Sequence, residues 1–150
     1  MKFLLILVLA VPIYSQVEVK YDKFKDESVV RLDGGRLGLA KVAVFYVSKG
    51  ETPTRPDSMW FTVSRYCELK CGNDRQLIIL ADGERFDLGR GAHDLIRDRF
   101  GLYERMAYSV PIADLALIAD AKKVELQLGS VEAKLSDKQK AGIKELLAYK

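Results

Sequence analysis

Residues 124–135 constrain the fold of this chain more tightly than any other stretch. Val124, Leu126, Leu128, Val131, Ala133 and Leu135 are apolar, while Glu125, Gln127, Glu132 and Lys134 between them are polar. Side chains alternate faces along a strand, so a hairpin turning at Gly129-Ser130 gathers the whole apolar set on one side. A slip of one residue would move that set into water, and the pattern therefore fixes the register. Residues 76–88 use the same device. Their turn is Asp82-Gly83, a dipeptide favoured in two-residue hairpins. Pairing Ile79 with Phe86 and Leu77 with Leu88 then places all four on one face.

Around these hairpins, residues 17–22, 28–32, 37–47 and 58–66 read as further strands. Asp33-Gly34-Gly35 is a turn signal, and 49–57, with Pro53 and Pro56, is a loop. Along 58–66, alternation sets Met59, Phe61 and Val63 against Trp60, Thr62 and Ser64 on the opposite face. Helical patterning comes late. Residues 111–121 open on Pro111 at a first-turn position and carry the stripe Ile112, Leu115, Ile118 and Ala119. Residues 136–149 open on a capping box, Ser136 with Gln139. This second helix buries Ile143, Leu146 and Leu147 and keeps Lys138, Lys140 and Lys144 in water. Gly142 lies in its interior, where it permits close packing on the sheet. Residues 89–101 fit either a loop or a short helix around 94–99. The sum is an α+β fold: an antiparallel sheet of about seven to nine strands, with two helices of the C-terminal half on one face.

The N-terminus speaks to location. Lys2 precedes the apolar run 3–13, which falls short of the roughly 20 residues of a membrane span. Length, charge and the small Ser15 match a cleaved signal peptide, residues 1–15. Removing the first 15 of 150 residues leaves 135, one domain over 16–150. The expected location is periplasmic or secreted, with no integral membrane segment after cleavage. The net charge of +3 is spread among both signs. Arg90, Arg97, Arg99 and Arg105 are interleaved with Asp94, Asp98 and Glu104, which is too neutralised for a nucleic-acid footprint.

The two cysteines, Cys67 and Cys71, would pair as a structural disulfide in an oxidising compartment. Their C-x3-C spacing departs from thioredoxin-like and haem-attachment motifs, which leaves a thiol–disulfide activity as the weakest reading. With a single histidine in the chain, a structural zinc site lacks ligands. No metal or other cofactor is expected. Asp22, Asp26 and Glu27 cluster without the spacing of a calcium loop and read as a solvated turn.

Catalytic motifs are missing: there is no nucleophile elbow, zincin helix, P-loop or dinucleotide fingerprint. His93, followed by Asp94, is the one candidate general base, and a small hydrolase using it is the alternative to a non-catalytic domain. Trp60 is the candidate binding residue, because it falls on the face opposite the apolar set of its strand. A large aromatic there is either covered by a helix or part of a binding patch.

The segment Tyr21-Asp22-Lys23-Phe24-Lys25-Asp26-Glu27-Ser28 resembles the start of small uncharacterised bacterial exported proteins, in which Y-D-x-F-x-D-x-[ST] precedes a β-rich body. The resemblance implies an envelope location and no activity. The expected function is an exported, non-catalytic domain that binds an unidentified protein or small molecule, or contributes to the envelope.

Overall fold

The computed structural model describes residues 16–38, 40–67 and 74–149. The expected signal peptide, residues 1–15, lies outside them. The elements are β1 (Val17–Asp22), β2 (Glu27–Leu37), β3 (Ala40–Lys49), β4 (Ser58–Cys67), β5 (Leu77–Ala81), β6 (Glu84–Asp87), β7 (Ala92–Asp98), β8 (Gly101–Pro111), α1 (Ile112–Asp120), β9 (Val124–Leu128), β10 (Val131–Lys134) and α2 (Asp137–Ala148). This is the α+β architecture that the patterning predicts. The strands divide into two antiparallel sheets, a six-stranded one ordered β1-β2-β3-β4-β8-β7 and a four-stranded one ordered β10-β9-β5-β6.

Both hairpins take the predicted register. Ile79 pairs with Phe86 and Leu128 with Val131. Val124, Leu126, Leu128 and Leu135 are buried, whereas Val131 at the hairpin tip is 53% exposed. One face of the six-stranded sheet carries Val30, Leu32, Val42, Val44, Tyr46, Met59, Phe61, Val63, Met106, Tyr108 and Val110 into a single core. Leu77, Ile79 and Leu126 of the smaller sheet, Leu115 and Ile118 of α1, and Ile143 and Leu146 of α2 complete that core. The opposite face of the six-stranded sheet receives neither helix.

The structure departs from the sequence reading in several places. Asp33-Gly34-Gly35 is not a turn. β2 runs through it, and the pairing with β3 shifts register between Asp33 and Arg36. Gly35 at φ +71 takes up the extra residue of a bulge, and a Cβ on Gly34 would sit 2.9 Å from the Val42 carbonyl oxygen. The chain reverses later, at Gly38. Residues 89–101 are neither loop nor helix at their centre. β7 pairs along its whole length with β8, and a tight turn at Arg99-Phe100 joins the two. Its charged, weakly alternating composition hid an edge strand, whose side chains remain largely in water. Pro111 is the N-cap of α1 and ends β8, rather than lying in the first turn.

Lys140 does not stay in water. It is buried, and its Nζ donates to the carbonyls of Ala121 at 3.0 Å and Lys122 at 2.7 Å. Those acceptors lie just beyond α1, so Lys140 caps one helix from the other. The capping box of α2 is formed: the Gln139 amide N–H donates to Ser136 Oγ and the Ser136 N–H to Gln139 Oε1. The same Gln139 side chain donates to the Gly34 carbonyl at 2.7 Å, tying the helix start to the bulge in β2. Gly142 faces Leu32 of β2 so closely that a Cβ would meet its Cδ1 at 2.7 Å. The close packing read from the sequence is therefore present.

Candidate functional site

Antiparallel pairing lets the open face of the six-stranded sheet be read row by row. One row crosses it as Glu18, Arg31, Phe45, Trp60 and Ser109. The next is Asp33, Ala43, Thr62, Ala107 and Ala92. The third is Lys41, Ser64, Arg105 and Asp94. Opposed residues point to the same side of a sheet. A row of small side chains thus lies between two rows of larger ones, and the result is a trough running across the strands. The concavity it forms measures about 430 Å³ and is lined by Arg31, Phe45, Trp60, Thr62, Ser64, Ala92, Tyr103, Arg105 and Ala107.

Trp60 sits in the wall of this trough, 40% exposed, while its neighbours Met59 and Phe61 are buried in the core. The covered-aromatic reading of Trp60 does not hold, because both helices lie on the other face. Aromatic surface continues toward the end of the sheet. The Tyr66 ring lies 5.0 Å from that of Tyr103 and 6.4 Å from that of Phe100, the latter edge-on. Tyr66 Oη donates to Asp98 Oδ2 at 2.8 Å, and this bond raises the phenol's pKa. Arg105 pairs with Asp94 at 2.8 Å at the trough's outer end.

His93 lies on the same strand as Ala92 and points to the core side. Its Nε2 is 2.9 Å from Oε1 of Glu104. The other carboxylate oxygen, Oε2, accepts from Arg65 Nε at 2.8 Å. Glu104 is fully buried, and the Arg65 and His93 side chains are 20% and 27% exposed. An ionised carboxylate only accepts hydrogen bonds, so toward Glu104 in that form the imidazole presents Nε2–H, with Nδ1 turned away from the carboxylate. Nearby, Tyr108 Oη donates to the Arg75 carbonyl at 2.7 Å. Burial, reinforced by the Glu104 charge, pushes that phenol up to about 12.

Of this pair, His93 is the candidate that the sequence offers, and Glu104 is the partner that it does not. Asp94, the sequence neighbour, points to the opposite face and pairs with Arg105 instead. Glu104 sits eleven residues away in sequence, and only the β7–β8 register brings it across. Cys67, the last residue of β4, carries no free thiol, and its sulfur lies 3.8 Å from Glu104 Oε2. Cys71, its proposed partner, lies outside the described residues.

The Asp22, Asp26 and Glu27 cluster is the turn between β1 and β2. Asp22 Oδ1 accepts from the Phe24 and Lys25 N–H groups, and Asp26 Oδ1 accepts from Tyr21 Oη. Among the described residues no group of three or more His, Cys, Asp or Glu could hold a metal ion. Among them, too, no helix is long and apolar enough to cross a membrane.

No protein-family model matches this chain, and neither a curated protein nor a solved structure does.

Proposed function

We propose that this protein is an exported, non-catalytic binding domain, and that the open face of the six-stranded sheet around Trp60 is its binding surface. The observation that carries the reading is the trough. It combines partly exposed aromatic rings, two guanidinium groups and three hydroxyls on a rigid sheet whose other face carries the core along its central strands. Sheet positions hold such groups more exactly in place than loops do. Export rests on the N-terminal pattern of residues 1–15.

The test is capture from the extracytoplasmic fraction of the native cell by the mature domain, beside a Trp60→Ala, Arg31→Glu variant of equal stability. Material retained by the wild type and lost by the variant supports the reading. Equal retention by both places binding elsewhere on the molecule.

A second reading has one specific observation behind it. A buried carboxylate fixing a histidine tautomer is the orienting half of a nucleophile–base–acid arrangement. Glu104 and His93 have that geometry at 2.9 Å. In this reading a hydrolase would need a nucleophile near Nδ1. His93→Ala abolishing a hydrolytic activity of the pure protein would favour it, and unchanged activity would remove it.

A further inference from the structure

The trough has a defined shape and charge, and both bear on what it takes. Its floor is Ala43, Thr62, Ala107 and Ala92, one residue from each of β3, β4, β8 and β7. At a strand spacing of ~4.8 Å the floor is about 14 Å long. It opens at the β7 edge and ends at Asp33 on β2. One wall is Phe45 and Trp60, with Arg31 beside them. The other is Ser64 and Arg105, with Lys41 and Tyr103 adjoining. The residues lining the concavity include two arginines and no carboxylate, and Glu18 stands opposite Arg31 just outside it. Asp94, paired with Arg105, stands at the outer end, and Asp33 at the inner end turns its Oδ1 to the Gly35 N–H at 2.9 Å.

We propose that this trough binds a short anionic oligosaccharide. The inference rests on the open face being the binding surface. Across the interior strands, backbone donors and acceptors are spent on the sheet's own ladder, so a ligand lying here is read by side chains alone. An extended peptide draws its affinity from main-chain pairing at a sheet edge, and the middle of a face offers none. An elongated trough open at one end also differs from the enclosed cavities that bury a drug-sized molecule.

A sugar chain suits what remains. Its C–H faces lie against the Trp60, Phe45 and Tyr103 rings. Its hydroxyls meet Ser64 Oγ, Tyr103 Oη and Thr62 Oγ1, the last of which donates to the Ala43 carbonyl at 3.1 Å and still accepts. Acidic groups on the sugar meet Arg31 and Arg105, whose forked donors match a carboxylate, sulfate or phosphate. The shared chemistry is the anionic sugar, whichever of these groups it bears.

Trp60 is the only tryptophan in the chain, so intrinsic fluorescence reports on the trough directly. The probes are trigalacturonate, sulfated maltotriose, unmodified maltotriose and polyglutamate. Saturable change with either acidic trisaccharide is expected, weakening as sodium chloride rises. The two acidic arms distinguish carboxylate from sulfate recognition. Unmodified maltotriose should bind about tenfold more weakly or worse, the loss appropriate to charge-assisted bonds. Arg31→Gln and Arg105→Gln should each weaken the acidic sugar by about tenfold while leaving the thermal melt in place. Arg31→Gln is the cleaner variant, because Arg105 also holds Asp94.

Polyglutamate matching the acidic sugars would show that charge alone suffices and would overturn the sugar. Maltotriose matching them would overturn the requirement for charge. In either case the face still binds and only its ligand is wrong. No response to any probe overturns the present inference. Whether the binding surface itself then stands is decided separately by the capture comparison with the Trp60→Ala, Arg31→Glu variant.

Discussion

Replacing Glu104 by Gln tests the most heavily buried charge among the described residues. The carboxylate is fully buried and holds Arg65 on one oxygen and His93 on the other, at 2.8 and 2.9 Å. The amide has nearly the same shape, so no cavity opens. What changes is the charge and one acceptor: the new NH2 points at a donor that previously had an oxygen. Removing one member of a buried ion pair costs about 3–5 kcal/mol, because the other charge is left without compensation. Arg65 and His93 both reach solvent in part, which screens the loss, and the amide oxygen retains one hydrogen bond. The expected cost is therefore about 2–4 kcal/mol, or a fall of roughly 10 °C in melting temperature for a domain of this size. Urea unfolding at pH 7, followed by far-UV circular dichroism, measures it. The control is the double variant Glu104→Leu, Arg65→Met. Replacing a buried pair by apolar groups of similar volume is often close to neutral, so the double variant should lose less than Glu104→Gln alone. If Glu104→Gln unfolds at the wild-type urea concentration, the carboxylate is solvated and this account of the sheet's end is wrong. If the double variant loses more than the single, the cluster contributes through packing rather than charge.

Three further outcomes follow from other contacts. Gly142→Ala gains about 1 kcal/mol of helix propensity but pushes a methyl into Leu32, an overpacking cost of about 1–3 kcal/mol. A chemical melt should place it level with or below the wild type by up to about 2 kcal/mol, and a gain near 1 kcal/mol would mean that α2 sits farther from β2. Lys140→Met keeps the aliphatic stem but strips the Ala121 and Lys122 carbonyls of their donor, at a cost of about 1–3 kcal/mol. Wild-type stability in that variant would show that the α1 end is satisfied by water. Asp82 concerns pH: its carboxylate accepts from the Lys123 and Lys122 N–H groups at 2.8 and 2.9 Å, and these bonds hold its pKa below the ordinary range. A depressed folded-state pKa stabilises the protein above the unfolded-state value, and that contribution disappears as pH falls through the folded one. Asp82→Asn should therefore be less stable than wild type at neutral pH, the gap closing in acid. A gap that stays constant down to pH 2 would contradict the assignment.

Local chemistry wrote much of this fold into the sequence. The hairpin registers at Asp82-Gly83 and Gly129-Ser130 were legible because a one-residue slip exposes an entire apolar face. The α2 start was legible because Ser136 and Gln139 satisfy each other's backbone within one turn. The face on which Trp60 lies was likewise set by alternation along a single strand. None of these needs more than a dozen neighbouring residues. The pairing of distant segments was decided elsewhere. Gly34-Gly35 became a bulge rather than a turn because Leu32 and Leu37 both had to reach the core across β3. Residues 92–98 became a strand because β8 offered them a ladder, although their own periodicity is weak. Lys140 was drawn inside by the carbonyls beyond another helix. The contact between His93 and Glu104, and the trough between Trp60 and Arg105, likewise depend on how strands far apart in sequence lie side by side. Sequence patterning determines which face of each strand meets water. Which strands share that face, and hence which side chains form a site, is set by sheet order, whose free energy resides in long-range pairings that no local window contains.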